Sequence, residues 1–280
     1  MKRGIFILCF VQLLFGCKSE LFDIENINGN KIDVLGHAGM GVSNLYPSNS
    51  AESILNCLNL GATGSEMDVQ MTSDGVLVLF HDESLDQKTN QSGVIHSQTW
   101  DQIKTAEYDE VPYTHYNIVK LRDIIENIEN LESFIFTLDI KLYSESTNMT
   151  NYIDQFTDAL VSLFSEYNLY NYVYVESQST DFLNVLQSKA SNIDLYYYPQ
   201  TFQDGLNKAL NFNLKGISIS SSNITKEQIA DAHNAGVFIT VWGTQSEEEN
   251  IEAIRKNPDM IQTDRVKYLV DILTEQNLIH

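Results

Sequence analysis

Short apolar runs and longer amphipathic stretches alternate along most of the chain. KIDVLGHAG reads as a strand ending in a glycine-rich bend. SAESILNCLNLG follows with Ile54, Leu55 and Leu58 at helical spacing, and Gly61 is suited to a C-cap. GSEMDVQM and VLVLFHD predict two strands joined by a turn at SDG. WDQIKTAEY predicts a short helix and KLRDIIENIENL a longer amphipathic one. SFIFTLDIKLY returns to strand and YIDQFTDALVSLFSEYNL to helix. YVYVES, DLYYYP, GISIS and VFITVWG continue the strands, with helical stretches between several of them. DMIQTD is the last strand and VKYLVDILTEQ a closing helix. Eight or nine strands alternating with helices over about 250 residues predict a (β/α)8 TIM barrel. A doubly wound open sheet is the alternative, but GHAGMG lacks the third glycine of a GxGxxG phosphate loop. Barrel active sites lie at the carboxyl ends of the strands. His37, His81, Glu176, Trp242 and Asp264 fall at those predicted ends.

Composition narrows the picture. With 280 residues, 43% of them hydrophobic, the chain can bury a full core, and no linker-like segment divides it, so residues 32–280 are expected to form one domain. A formal charge of −21 argues against nucleic acid and against unaided binding to anionic membranes, and it is compatible with divalent cations. Lys2 and Arg3 precede the apolar stretch GIFILCFVQLLFG, which is short for a membrane span and reads as a signal peptide over residues 1–16. Its end, LFGC, resembles a bacterial lipobox. That resemblance implies cleavage before Cys17, a lipid anchor on its thiol, and an envelope location. An ordinary secretory signal with an incidental cysteine is the alternative. Residues 17–31 read as a polar tether. Cys57 would then be the remaining cysteine, placed by its helical pattern as a small buried residue. Nothing in the chain points to a protein partner.

The informative residues are the charged ones inside apolar runs: His37 in VLGHAG, Glu66 and Asp68 in SEMDV, His81 in VLVLFHD, Asp139 and Lys141 in FTLDIKL. Buried runs seldom carry charge unless it is paired, metal-bound or catalytic. Glu66 and Asp68 are two apart on a strand and project from one face. Such carboxylates repel unless a cation lies between them, and hard oxygen donors favour Mg2+ or Ca2+ over zinc. Asp139 and Lys141 repeat the spacing. If Asp74 and Gly75 form a two-residue hairpin turn, Asp68 lies opposite His81, giving one antiparallel pair within the parallel barrel. Two histidines at strand ends beside a metal pair read as a general acid and a general base. His96, His115, His233 and His280 receive no role.

These segments resemble the glycerophosphodiester phosphodiesterase family, of the phospholipase C-like phosphodiesterase type. The resemblance rests on HAG at 37–39, PSNSAES at 47–53, LGATGSEMDVQMTSDGVLVLFHDESLDQKTNQSG at 60–93 and DIK at 139–141. Weaker matches are VES at 175–177, VWG at 241–243 and QTD at 262–264. It implies that His37 and His81 are the catalytic pair and that Glu66, Asp68 and Asp139 hold the metal, with aspartate at 139 where the family usually has glutamate. It further implies that Lys141 contacts phosphate and that Trp242 lines the substrate site. Two positions depart from the pattern. Ala38 replaces the arginine of HRG, and Ser48 the glutamate of PEN.

The reaction implied is metal-dependent hydrolysis of a small phosphodiester, with one histidine deprotonating the nucleophile and the other protonating the leaving alcohol. Products would be glycerol 3-phosphate and an alcohol such as choline or ethanolamine. Alternatives are a phospholipase C- or D-like reaction on lipid head groups, or a lipoprotein that binds phosphorylated ligands without turnover.

Overall fold

Gly64–Met71, the strand carrying SEMDV, is buried at all eight positions. A strand without a wet face must be covered on both sides, the condition of a parallel sheet clothed by helices. The computed structural model describes residues 21–41, 45–109, 115–143 and 148–280. Among these residues the strands are β1 (Asp33–Gly36), β2 (Gly64–Met71), β3 (Leu77–Leu79), β4 (Val119–Lys120), β5 (Ile135–Ile140), β6 (Val173–Ser177), β7 (Leu195–Tyr197), β8 (Gly216–Ser220), β9 (Phe238–Thr244) and β10 (Met260–Thr263). β1, β2 and β5 to β10 run parallel, each paired to the next, and β1 pairs with both β10 and β2. That last pairing closes the sheet into the expected eight-stranded barrel and excludes the open-sheet alternative.

Most of the helices lie between strands, and several start where a polar side chain takes up a free backbone N–H. Ser50, Ser179, Thr201, Thr225 and Ser246 cap α1 (Ala51–Asn59), α5 (Thr180–Lys189), α6 (Phe202–Asn211), α7 (Lys226–Asn234) and α8 (Glu247–Arg255). The shorter α2 (Trp100–Ile103) and α3 (Leu121–Asn127), the long α4 (Met149–Tyr167) and the closing α9 (Val266–Glu275) complete the set.

Alternation along the strands divides the barrel into two interiors. Outward residues such as Met67, Val69, Phe136 and Leu138 join Ile54, Phe156 and Phe182 of the helices in the main core. Inward residues at the amino-terminal end, Leu35, Tyr196 and Met260 with Ile135, Tyr174 and Phe238 against them, form a plug. Above the plug the lumen turns polar, with Glu66, Thr137, Asp139, Glu176, Ser218, Thr240 and Gln262 all buried. The same strands thus carry an apolar floor and a charged mouth.

Between β2 and β5 an inserted lobe grows from the barrel. β2 leaves β1 after Ser65, and its end, Val69–Met71, pairs antiparallel with β3, which pairs with β4. The two-residue β4 was not expected. The lobe has its own core of Val78, Phe80, Leu85, Ile95, Ile103, Ala106, Tyr108 and Ile118.

Two expectations change here. The β2–β3 register joins Val69 to Leu79 and Met71 to Leu77, so Asp68 faces Phe80 and not His81. The turn holds three residues, Ser73 to Gly75, with Gly75 at φ +82 in the left-handed region. Asp74 stabilises it by accepting from Thr72 Oγ1 at 2.6 Å and from Trp100 N at 3.0 Å. The extra residue slips the register by one.

The other change concerns the stretch read as a tether. From Phe22 onward it is docked: Phe22 N donates to Gln276 Oε1 at 2.9 Å, Ile24 is buried, and Asn26 donates to Pro258 O at 2.8 Å. The signal peptide at 1–16 and Cys17 lie outside the described residues, and none of the described helices is long and apolar enough to cross a membrane. Cys57 is buried and free, as expected.

Candidate active site

The β2–β5–β6 register sets Asp68 beside Asp139 and Asp139 beside Glu176, with Glu66 one pleat below Asp68 on the same face. Glu66, Asp68 and Asp139 each offer an oxygen within 4.8 Å of the others. Lys141 Nζ bridges two of them, 2.9 Å from Asp68 Oδ1 and 2.7 Å from Asp139 Oδ2. The Ala38 backbone N–H donates to Glu66 Oε2 at 2.7 Å. Asn49 holds Asp68 twice: its Nδ2 donates to Oδ2 at 2.7 Å, and its Oδ1 accepts from the Asp68 backbone N–H at 2.9 Å.

One oxygen is left over. Glu66 Oε1 is buried and has no hydrogen-bond partner, a costly arrangement for a carboxylate unless a cation serves it. With all three ionised, as a bound cation would hold them, three carboxylates against one ammonium leave a double negative charge, and every donor is a hard oxygen. The residues present therefore fit a divalent cation of the Mg2+ or Ca2+ kind.

The charges bear the marks of crowding. Burial, then Asp68, Asp139 and Glu176, push Glu66 well above the usual carboxylate range. Burial also acts to raise Asp68, but Lys141, His81 and Asn49 together hold it below its ordinary value. Asp139 is raised by burial, with Lys141 opposing. Burial works against the Lys141 charge, yet Asp68 and Asp139 raise it, so the lysine stays protonated. Burial and Asp139 bring Glu176 up to about 8, and Gln262 Nε2 reaches both its oxygens at 3.2 Å.

His37 follows β1 on the rim. The bend is tight: a Cβ on Gly36 would lie 1.7 Å from Gly39 O, and Gly39 sits at φ +93 against Ser53 of α1. His37 Nδ1 is 2.8 Å from Asp264 Oδ1. Burial acts to depress the imidazole, but the Asp264 bond and charge outweigh it and the pKa is raised. His81 lies on the lobe, with Nδ1 2.7 Å from Asp82 Oδ1. Buried Gln70 of β2 fastens this segment, donating from Nε2 to Phe80 O at 2.8 Å and Asp82 O at 2.7 Å.

Both histidines open onto one cavity of about 290 Å³, with Asp68 on its wall and Ala38, Pro47, Phe80 and Tyr108 supplying apolar surface. The slipped hairpin register therefore still delivers Asp68 and His81 to the same space. Glu66, Asp139 and Lys141 belong to the same cluster but do not line that cavity. Trp242 does not line it either. It packs on Tyr198, ring centres 5.2 Å apart, and burial with the charges of Asp139 and Glu176 raises the Tyr198 phenol. The tyrosine–tryptophan pair thus stands near the carboxylates from another part of the rim.

Sequence reasoning missed the supporting residues. Asn49 is in the quoted PSN but was given no role; its φ of +64, a conformation Asn tolerates, aims its amide at Asp68. Asp264 and Asp82 orient the histidines; Asp264 was placed at a predicted strand end without a role, and the signal for Asp82 was its adjacency to His81. Gln70 continues the period-two face of Glu66 and Asp68.

Comparison with known proteins finds one family by both sequence and fold. The model of the glycerophosphoryl diester phosphodiesterase family matches residues 40–268. A glycerophosphodiester phosphodiesterase of Caldanaerobacter subterraneus subsp. tengcongensis is 24% identical over 249 residues, covering 84% of this chain and 96% of that protein. A solved phosphodiesterase of Oleispira antarctica, in complex with the product sn-glycerol-3-phosphate, superposes with a TM-score of 0.76 at 18% identity, covering 88% of this chain and 98% of the other. A glycerophosphodiester phosphodiesterase of Parabacteroides distasonis gives 0.74 at 20% identity, with the same coverage.

Proposed function

The chain belongs to the glycerophosphoryl diester phosphodiesterase family, a family of phosphodiesterase enzymes, and we propose that it hydrolyses glycerophosphodiesters to sn-glycerol 3-phosphate and an alcohol by metal-dependent acid–base catalysis. The observation that carries this reading is the cavity that joins His37, His81 and Asp68. Glu66, Asp68 and Asp139 would hold the cation, Mg2+ or Ca2+, which when bound supplies charge neutralisation for the phosphoryl oxygens.

The chain's own groups divide the rest. Lys141, held protonated beside Asp68 and Asp139, adds its positive charge to the cation's side of the phosphoryl group. In each histidine Nδ1 is engaged by a carboxylate, Asp264 or Asp82, which leaves Nε2 for proton transfer. One Nε2 takes the proton of the attacking water as its oxygen bonds to phosphorus. The other gives a proton to the alkoxide as the phosphorus–oxygen bond breaks. If a neighbouring substrate hydroxyl attacks instead, the alcohol leaves behind a cyclic glycerophosphate, which a second attack by water opens to sn-glycerol 3-phosphate. Phe80, Pro47 and Tyr108 exclude water from the alcohol's side, strengthening the charged contacts.

The test is a turnover screen across glycerophosphodiesters with and without EDTA, Mg2+ and Ca2+. Turnover that EDTA abolishes and one of these cations restores is expected. Cation binding with no hydrolysis of any diester would replace this reading with a binding-only role. A lysophospholipid is a second reading, favoured by Leu45, 77% exposed and two residues from the cavity-lining Pro47. Placement in the cell envelope through Cys17 would bring such a substrate close.

A further inference from the structure

The cavity has two walls of different origin. His37, Ala38, Pro47, Ser48, Asn49 and Asp68 come from the barrel and its first loop; Phe80, His81, Asp82, Lys88 and Tyr108 come from the lobe. Lys88 is the lysine among these lining residues, and none of them is an arginine. We propose that Lys88 is a substrate-binding residue that contacts a non-bridging phosphoryl oxygen on the side away from Glu66, Asp68 and Asp139, so that the phosphate is clasped between barrel and lobe. The proposal rests on the diesterase reading above.

The argument is one of charge on two faces. A phosphodiester carries its negative charge on two non-bridging oxygens, and that charge grows as the nucleophile adds. The triad side offers Lys141, whose ammonium already serves Asp68 and Asp139 at 2.9 and 2.7 Å. The apolar surface of Ala38, Pro47, Phe80 and Tyr108 lowers the local dielectric, which magnifies a charged contact made there.

The backbone of Lys88 is fixed for the task. It follows a 3-10 turn, Leu85–Gln87, capped by Ser84, and its N–H donates to Leu85 O at 3.3 Å. Its carbonyl accepts from Asp109 N at 3.1 Å, and the next residue, buried Thr89, bridges to Tyr108. A fixed backbone with a flexible four-carbon stem lets the ammonium follow the phosphoryl oxygen as its geometry changes.

The test is steady-state kinetics of the full chain with Lys88→Met and Lys88→Arg on glycerophosphocholine, glycerophosphoethanolamine and glycerophosphoserine, together with inhibition by sn-glycerol 3-phosphate. For Lys88→Met, KM and the product inhibition constant should rise about 10- to 100-fold, the range for a hydrogen bond to a charged group. The rise should be equal for the three alcohols and larger than the fall in kcat, and Lys88→Arg should recover most of it. Unchanged KM and inhibition constants would overturn the proposal. A loss confined to the serine ester would also overturn it, because the lysine would then be reading the alcohol. Should Lys88→Met fail to fold, Lys88→Gln measured against Lys88→Arg decides by the same criteria. If the unaltered enzyme turns over none of the diesters, the diesterase reading itself falls. If it turns them over and the variants match it, only the lysine assignment falls.

Discussion

The two walls of the cavity are built by different physics. On the barrel side, Asp68 and Asp139 hang from adjacent parallel strands whose register runs unbroken from Gly64 to Val69, over the main core. On the lobe side, His81 and Lys88 lie on segments held by a three-residue strand, 3-10 turns and isolated bridges, over a separate and smaller core. Charges packed against each other must be placed to fractions of an ångström, and a continuous ladder can do that. A group that meets a substrate from across a cavity tolerates more play. The barrel therefore carries the cation chemistry, and the lobe carries the groups that approach the substrate last.

The sharpest challenge to this division is the histidine pair, one on each wall. His37→Ala and His81→Ala should each lower kcat by about 10²- to 10⁴-fold, the usual span for losing a general acid or base, with little change in thermal midpoint. If His81→Ala retained full turnover, the lobe would not be part of the chemistry. A smaller effect, confined to the barrel wall, is expected of Asn49→Ala. Removing the amide that orients Asp68 should weaken divalent-cation affinity about 10- to 100-fold, as for other residues that orient metal ligands, measured by calorimetry. The same substitution should leave the Lys88 contact untouched.

Native-state hydrogen exchange separates the walls without any mutation. Amides of β3 and β4 should open in a sub-global step, ahead of those of β2 and β5 that require global unfolding. Simultaneous exchange would show one cooperative unit. The smallest effect is on protonation. Asp264 raises His37 above its ordinary value despite burial, so charged His37 stabilises the fold at pH below about 6.5, and that contribution fades as pH rises through the raised value. Asp264→Asn should move the His37 titration, followed by NMR, to lower pH and remove this part of the slope of stability against pH. An unshifted titration would sever the assigned link.

The barrel wall was the more legible in sequence. Glu66, Asp68 and Asp139 stand out because carboxylates interrupt apolar runs, and the period of two places Glu66 and Asp68 on one face whatever the partner strand. The lobe was harder to read. Its hairpin register depends on whether the turn spends two or three residues, and that was decided by the Asp74 side chain bonding to Thr72 and to the distant Trp100. β4 is too short for any alternation to show. Asn49 and Lys88 are brought to the site by loops, so no hydrophobic pattern announces them, while Asp264 could be placed at a strand end but not paired with His37. Trp242 stands near a strand end as expected, yet packs on Tyr198, which follows β7, across the intervening β8. The polar stretch after Phe22 reads as solvent-seeking, but its asparagines bond to backbone groups at the barrel's amino-terminal end.

One feature of the rim bears on how such a site can diversify. The donor that steadies Glu66 at position 38 is a main-chain amide, while the side chain of Ala38 faces the substrate cavity. Every amino acid except proline carries that amide, so exchanges here can alter what the enzyme accepts without withdrawing the support of the cation ligand. The left-handed backbone at this position, φ +48, limits which exchanges are comfortable but not what they spare. A substitution at position 38 therefore changes the cavity wall while leaving in place the amide that supports Glu66.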